Sequence, residues 1–280
     1  MELNSKKRGQ RLPLLFQKKL YTKKLSDLKK EMICLLNSKT NSMEDYFNTH
    51  PFAKIGILAV PLVIFMILME IFFPKLHHEE YHSFITAFEF ARTPADLHTL
   101  FNGFTDETFR NVDIGNYIDF GFMITYTLFL VLFFRKADKT FEKKWLLTGI
   151  PFALIVLLAD VVENILLLQI TGIYTPELTD SELIPTLSKL HFVTWIKWGG
   201  LALIFALFSI RSMGKNIVKH IEGVVFIIPV LLIFRAISND PMGVSRFTLS
   251  IVLAFFLLLF YCFWFKAKKI ERLKKKILKL

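Results

Sequence analysis

The stretch WLLTGIPFALIVLLADVVENILLLQI, residues 145–170, decides the fold. A helix needs about 20 predominantly apolar residues to cross hydrocarbon, and this run is long enough. It also carries charges that a lipid-facing segment should avoid. Residues three and four apart share a helix face, so Asp160, Glu163 and Asn164 form one polar stripe. An ionised carboxylate at the bilayer centre costs about 3 kcal/mol even on the insertion scale. Two acids on one face therefore predict protein or water partners inside a helical bundle.

Working outward, further apolar runs flank this one. Together they predict an all-α, polytopic membrane protein with six transmembrane helices. The expected spans are residues 55–73, 114–134, 145–170, 192–210, 217–237 and 247–265. Open sheets are excluded, because edge groups would go unsatisfied in lipid. The fifth span is the weakest. Its apolar core, Val224 to Ile237, is short and needs an inner extension that admits Lys219, His220 and Glu222. Pro61, Pro151 and Pro229 sit about a third of the way into spans one, three and five, which raises an internal repeat of helical hairpins. The simpler account is that proline is frequent in membrane helices.

Charge sets the expected orientation. Lys and Arg concentrate in the N-terminal tail, the 135–144 loop, the 211–219 turn and the C-terminal tail. The intervening loops are acidic or poor in basic residues. The positive-inside rule then places both termini in the cytoplasm (N-in/C-in), as a multi-pass protein of a cytoplasmic (inner) membrane. Three parts follow. Residues 1–50 form a basic cytoplasmic N-terminal segment, residues 51–265 the six-helix domain, and residues 266–280 a basic cytoplasmic tail. An extracytoplasmic loop covers residues 74–112.

The net charge of +11 is thus read as orientation plus attraction to anionic lipid, with the bilayer itself as the main partner. In the N-terminal segment Tyr21, Leu25, Leu28, Met32 and Leu35 repeat at helical spacing between lysines. That pattern suits a helix lying on a membrane surface better than a short coiled coil. No nucleic-acid motif interrupts the basic runs, so no nucleic-acid partner is expected. Cys34 and Cys262 both fall on the reducing side of this topology and predict no disulfide. Self-association is left open by the sequence.

The first candidate site is an intramembrane polar cluster near the outer ends of spans two to four. Counting helical rise places Asp119, Glu163 and Lys197 in one slab, with Asp160 a turn deeper and Tyr126 deeper still. Lys197 can neutralise one carboxylate. Asn116, Asn164 and Thr194 can donate hydrogen bonds. Three acids facing one ammonium leave negative charge that a proton, an ion or a polar headgroup would balance. The candidate binding residues are Asn116, Asp119, Tyr126, Asp160, Glu163, Asn164, Thr194 and Lys197. The candidate catalytic residues are Asp160, Glu163 and Lys197. The competing account is polar glue that holds three helices in register. Glu70 and Arg235 lie close enough in depth to pair with the cluster or to snorkel.

The second candidate is His78-Glu79-Glu80-Tyr81-His82, which matches H-E-x-x-H. On a helix His78 and His82 can share a zinc ion, with Glu79 as base toward its water. Glu80 puts a charge where that motif favours an uncharged residue, and no distant third ligand stands out. No cofactor is expected beyond this zinc option.

The leading expectation is a membrane protein whose outer-leaflet cluster binds a proton, ion or polar headgroup for transport or sensing. The alternatives are a lipid-acting intramembrane enzyme using Asp160 or Glu163, a scaffold with basic tails, and a zinc hydrolase. Substrate and enzymatic status are not encoded in any recognisable motif.

Overall fold

The computed structural model describes residues 43–75, 81–175, 180–212, 217–238 and 240–266. Among these residues all regular secondary structure is helical. Residues 43–49 are helical and lie before the division of the chain into two units between Thr49 and His50. A second unit, His50–Leu280, carries the elements described below.

In chain order these are α1 (Ala53–Gly56), α2 (Ala59–Phe72), α3 (Phe84–Glu89), α4 (Pro94–Leu100) and α5 (Asp106–Phe141). A 3-10 turn (Lys144–Thr148) leads into α6 (Gly149–Ile173), followed by α7 (Asp180–Ser212), α8 (Ile217–Ala236) and α9 (Pro241–Trp264). Among the described residues five segments are long and apolar enough to cross a membrane: Ala53–Phe72, Asp106–Phe141, Lys144–Ile173, Ser181–Arg211 and Pro241–Trp264. This is a multi-pass, membrane-embedded architecture. The helix α8, Ile217–Ala236, is outside that set of five.

Several ends are set by local chemistry. Helix α4 starts at a capping box between Thr93 and Asp96, with Pro94 in its first turn. Helix α5 starts at a second capping box, Thr105 with Thr108, with Asp106 and Glu107 against its positive N-terminus. Those caps explain why α5 begins eight residues before the predicted span, at Asp106 rather than Ile114. It ends where Glu142 takes a left-handed conformation at φ 56°. Helix α9 starts with the Asp240 carboxylate accepting from the Gly243 amide at 3.0 Å.

The long helices pack largely on their sequence neighbours: α2 on α5, α5 on α6, α6 on α7, α7 on α8 and α8 on α9. α9 also meets α1 and α7. Small residues allow close approach. At Gly200 of α7 an added Cβ would lie 2.5 Å from Val156 of α6, so only hydrogen fits there. A Cβ at Gly121 of α5 would similarly meet the Phe65 ring of α2 at 2.6 Å.

Two apolar cores result. The larger is aromatic, with Phe52, Phe129, Phe133, Phe134, Phe208 and Tyr261 among its members. The smaller joins Phe84, Phe88, Phe101, Leu166, Leu183 and Leu187. This second core corrects two expectations. Residues 171–190 were expected to form a loop, yet α7 starts at Asp180, because Leu183, Leu187 and Leu190 form a buried stripe at helical spacing. Residues 74–112 were expected as a solvated loop, yet Phe84, Phe88, Phe101 and Val112 are almost fully buried. Outward faces carry exposed Ile71, Leu158, Ile165, Leu253 and Phe260, as lipid contact requires.

Candidate functional site: an acid cluster around Lys197

Three long helices and one short one converge on a buried ammonium. Asp160 and Glu163 come from α6, one turn apart, and are 1 % and 0 % exposed. Thr194, Lys197 and Trp198 come from α7, and Asn116, Asp119 and Tyr126 from α5. The fourth contributor is Glu89, the last residue of α3 and 3 % exposed. Helix α3 is held by the Ser83 cap, whose hydroxyl accepts from the Thr86 amide at 3.3 Å, and by its phenylalanines in the smaller core.

Lys197 Nζ meets Glu89 Oε1 at 2.8 Å and Asp160 Oδ1 at 2.7 Å, and it also pairs with Glu163 Oε2. An ammonium has three protons, so each can be directed to a different carboxylate. The acids have second partners. The Tyr126 hydroxyl donates to Asp160 Oδ2 at 2.5 Å. The Thr194 hydroxyl lies 2.5 Å from Glu163 Oε1 and 3.1 Å from the Glu89 carbonyl oxygen. The Trp198 indole donates to Glu89 Oε2 at 2.8 Å.

Asp119 is held differently. Asn164 Nδ2 donates to Asp119 Oδ2 at 2.9 Å and reaches the Asn116 carbonyl oxygen at 3.2 Å. Among the described residues no cation lies within ion-pair distance of Asp119. Both polar atoms of the Asn116 side chain, and Asn164 Oδ1, are buried without a protein partner. Buried polar groups in that state are the exception, and they call for a water or a ligand.

A cavity of about 650 Å³ adjoins the cluster. Its polar end presents Glu89, Asp119, Tyr126, Asp160, Lys197 and Trp198. Its apolar walls come from Leu62, Met66 and Met69 of α2 and from Ile251, Phe255 and Leu259 of α9. Glu70, Lys75 and His82 also line it. Glu163 does not. It stands behind Lys197 and orients that ammonium.

The eight residues expected to form the site thus lie together, with different parts. Asn164 and Thr194 donate hydrogen bonds as expected. Asn116 contributes only its backbone carbonyl. Arg235 is away from the cluster and sits 3.9 Å from Asp240 at the surface. Glu70 is exposed and borders the cavity.

Sequence reasoning missed Glu89 and Trp198. Glu89 falls within residues 74–112, the stretch expected as an extracytoplasmic loop. A signal was there, since Phe88 and Phe90 flank it directly and a solvated acid has no need of such neighbours.

His78 and Glu79 lie outside the described residues, as does the amphipathic N-terminal pattern. His82 is described. Its Nδ1 is 3.2 Å from the Ser245 hydroxyl of α9, and its Nε2 is 3.4 Å from the Thr86 hydroxyl. Among the described residues no set of three or more His, Cys, Asp or Glu side chains is placed to hold a metal ion.

Compared with known proteins, the chain matches no family model, no curated sequence and no solved structure.

Proposed function

We propose that this protein binds the polar head of a membrane amphiphile at the Lys197 cluster, as a sensor or a transporter of that molecule. The observation that carries this reading is the cavity between α2 and α9. Its volume falls within the range of roughly 300–1,000 Å³ that holds small ligands. It is apolar along two membrane helices and polar at one end, which is the profile of an amphiphile. A bare proton or ion needs no apolar chamber of that size.

Closing the mouth tests the reading while leaving the cluster intact. Met66→Trp with Val252→Trp fills the space between α2 and α9, both residues being at the cavity wall. Native mass spectrometry of the purified protein should show an amphiphile retained by the wild type and lost from this double variant. No retained amphiphile in the wild type, or equal retention in both, overturns the reading.

A second reading is a lipid-acting intramembrane enzyme. One observation favours it. Asp160 faces the cavity while Tyr126 and Lys197 fix its two oxygens. A carboxylate oriented that way suits a general base, with Lys197 stabilising developing charge. Turnover of a bound lipid, abolished by Asp160→Asn with binding retained, would select this reading over sensing or transport.

The wider proposal keeps the six-span topology. Helix α8 would be the remaining span, with both termini in the cytoplasm and the chain in a cytoplasmic membrane. The basic runs at residues 135–144 and 266–280 support it. Reporters fused at the two ends should report the same side, and opposite sides would rule the topology out.

A further inference from the structure

The charge around the cavity selects among amphiphiles. We propose that the occupant carries a cationic head, a protonated amine on an apolar chain. This inference rests on the amphiphile reading above and adds the sign of the head.

Three observations lead to it. First, the carboxylates lining the cavity are Glu70, Glu89, Asp119 and Asp160, against the ammoniums of Lys75 and Lys197. Second, Lys197 is already committed: it donates to Glu89 and Glu163 and lies within ion-pair distance of Asp160. A phosphate or carboxylate head could reach it only by displacing one of those partners, and would then sit against the other acids. Third, Asp119 borders the cavity with no cationic partner among the described residues. It is joined to Asn164, whose buried Oδ1 is without a protein partner. An ionised carboxylate only accepts, and Asn164 Nδ2 is the one side-chain donor seen at Asp119 among the described residues. An ammonium supplies three donors and one positive charge. It donates to the remaining acceptor sites of Asp119 and balances its charge. A hydroxyl head supplies one donor and no charge.

The polar end thus asks for a cation, and the apolar walls ask for a chain attached to it. A free cation would fill the first demand and leave the α2–α9 chamber without an occupant.

The experiment uses full-length protein in nanodiscs of zwitterionic lipid at neutral pH. Four probes are titrated: octadecylamine, octadecanol, octadecyl phosphate and the short soluble amine ethylamine. Binding is read as the rise in unfolding temperature, since a ligand that binds only the folded state stabilises it. Octadecylamine should raise that temperature, with the other three giving at most a small change. Asp119→Asn keeps the acceptor for Asn164 and removes the charge. It should weaken octadecylamine about thirtyfold or more, as loss of one partner of a desolvated charge pair does. Where that variant fails to fold, the Met66→Trp/Val252→Trp protein, with its cluster intact, should lose the octadecylamine response instead.

The remaining outcomes are decisive in different ways. Equal response to octadecanol or a stronger response to octadecyl phosphate overturns the cationic head and leaves the amphiphile reading standing. A full response to ethylamine overturns the amphiphile and leaves a cation site. No response to any probe overturns both.

Discussion

Helices α5 and α7 each change character along their length, and the change divides the molecule into two unlike regions. Around Asp119 of α5 and Lys197 of α7 the interior is charged and borders a cavity. Further along the same helices lie Phe133 and Phe208, inside the aromatic core. Phe133 is 4.9 Å from Phe52, 5.2 Å from Phe208 and 6.3 Å from Tyr261, centroid to centroid. That region gains from burial and from edge and stacked ring contacts. The charged region gains little on balance, because each ion pair first loses its hydration. It keeps a cavity that close packing would have filled. One region secures the bundle, and the other spends stability on a site.

The sharpest way to break this contrast is to remove the cation. Lys197→Met leaves Glu89, Asp160 and Glu163 buried around an apolar side chain. Breaking one buried pair costs roughly 3–5 kcal/mol, and here three pairs share one ammonium, so the loss should reach or exceed the top of that range. Thermal unfolding in detergent reads it. Adding Glu89→Gln, Asp160→Asn and Glu163→Gln to the same chain should recover most of the loss, since charges removed together leave nothing unpaired. A Lys197→Met protein as stable as wild type would show that the acids do not depend on their ammonium.

The aromatic region should fail in another manner. Phe133→Ala removes a fully buried ring and should cost about 3–5 kcal/mol. Its octadecylamine response should match that of the wild type, because Phe133 itself does not line the cavity. Loss of binding with Phe133→Ala would mean that the two regions are one cooperative unit.

Part of this contrast was legible in the sequence. Asp160, Glu163 and Asn164 show the i, i+3, i+4 spacing of one helix face, and an acid within an apolar run must find a partner. Depth counting then aligned Asp119 and Lys197 with them. These are regularities of single helices. Glu89 is of another kind. It reaches Lys197 across 108 positions of sequence, delivered by a six-residue helix that no span-length criterion detects. The start of α7 was hidden in a similar way. Pro185 and the acids around it resemble a loop, while the buried leucines that make it helical belong to a core shared with α3, α4, α5 and α6. The cavity could not be read at all, since it is a gap between α2 and α9, far apart in the chain.

Glu89 offers a finer test than Lys197. Glu89→Gln keeps one acceptor for Lys197 or Trp198 but gives up the charge and one of the two bonds. Lys197 retains Asp160 and Glu163. The expected cost is about 1–3 kcal/mol, the range for a hydrogen bond to a charged group. The change should be local, loosening α3 from the bundle. Limited proteolysis within residues 81–105 should therefore rise more than cleavage elsewhere. An unchanged digestion pattern would detach α3 from the charged region and return Glu89 to the status of an ordinary loop acid.

The smallest effect belongs to the rim of the cavity. His82 bridges α3 and α9 through Thr86 and Ser245, and burial lowers its pKa from the ordinary 6.5. The unfolded chain then binds a proton at pH values where folded His82 does not. Stability rises with pH wherever the unfolded state holds more protons. The contribution of His82 is therefore complete above about pH 6.5 and is lost as pH falls through its lower folded value. His82 keeps much of its surface exposed, so solvent screens the effect and the slope is shallow. Unfolding midpoints measured between pH 5 and pH 8, an interval chosen to bracket the ordinary histidine value, should fall at the acid end. They should fall less in His82→Gln, whose amide keeps a hydrogen bond to Ser245 without titrating. If both proteins lose stability equally, the acid sensitivity does not come from His82, and the contact it makes between α3 and α9 does not mark the boundary of the charged region.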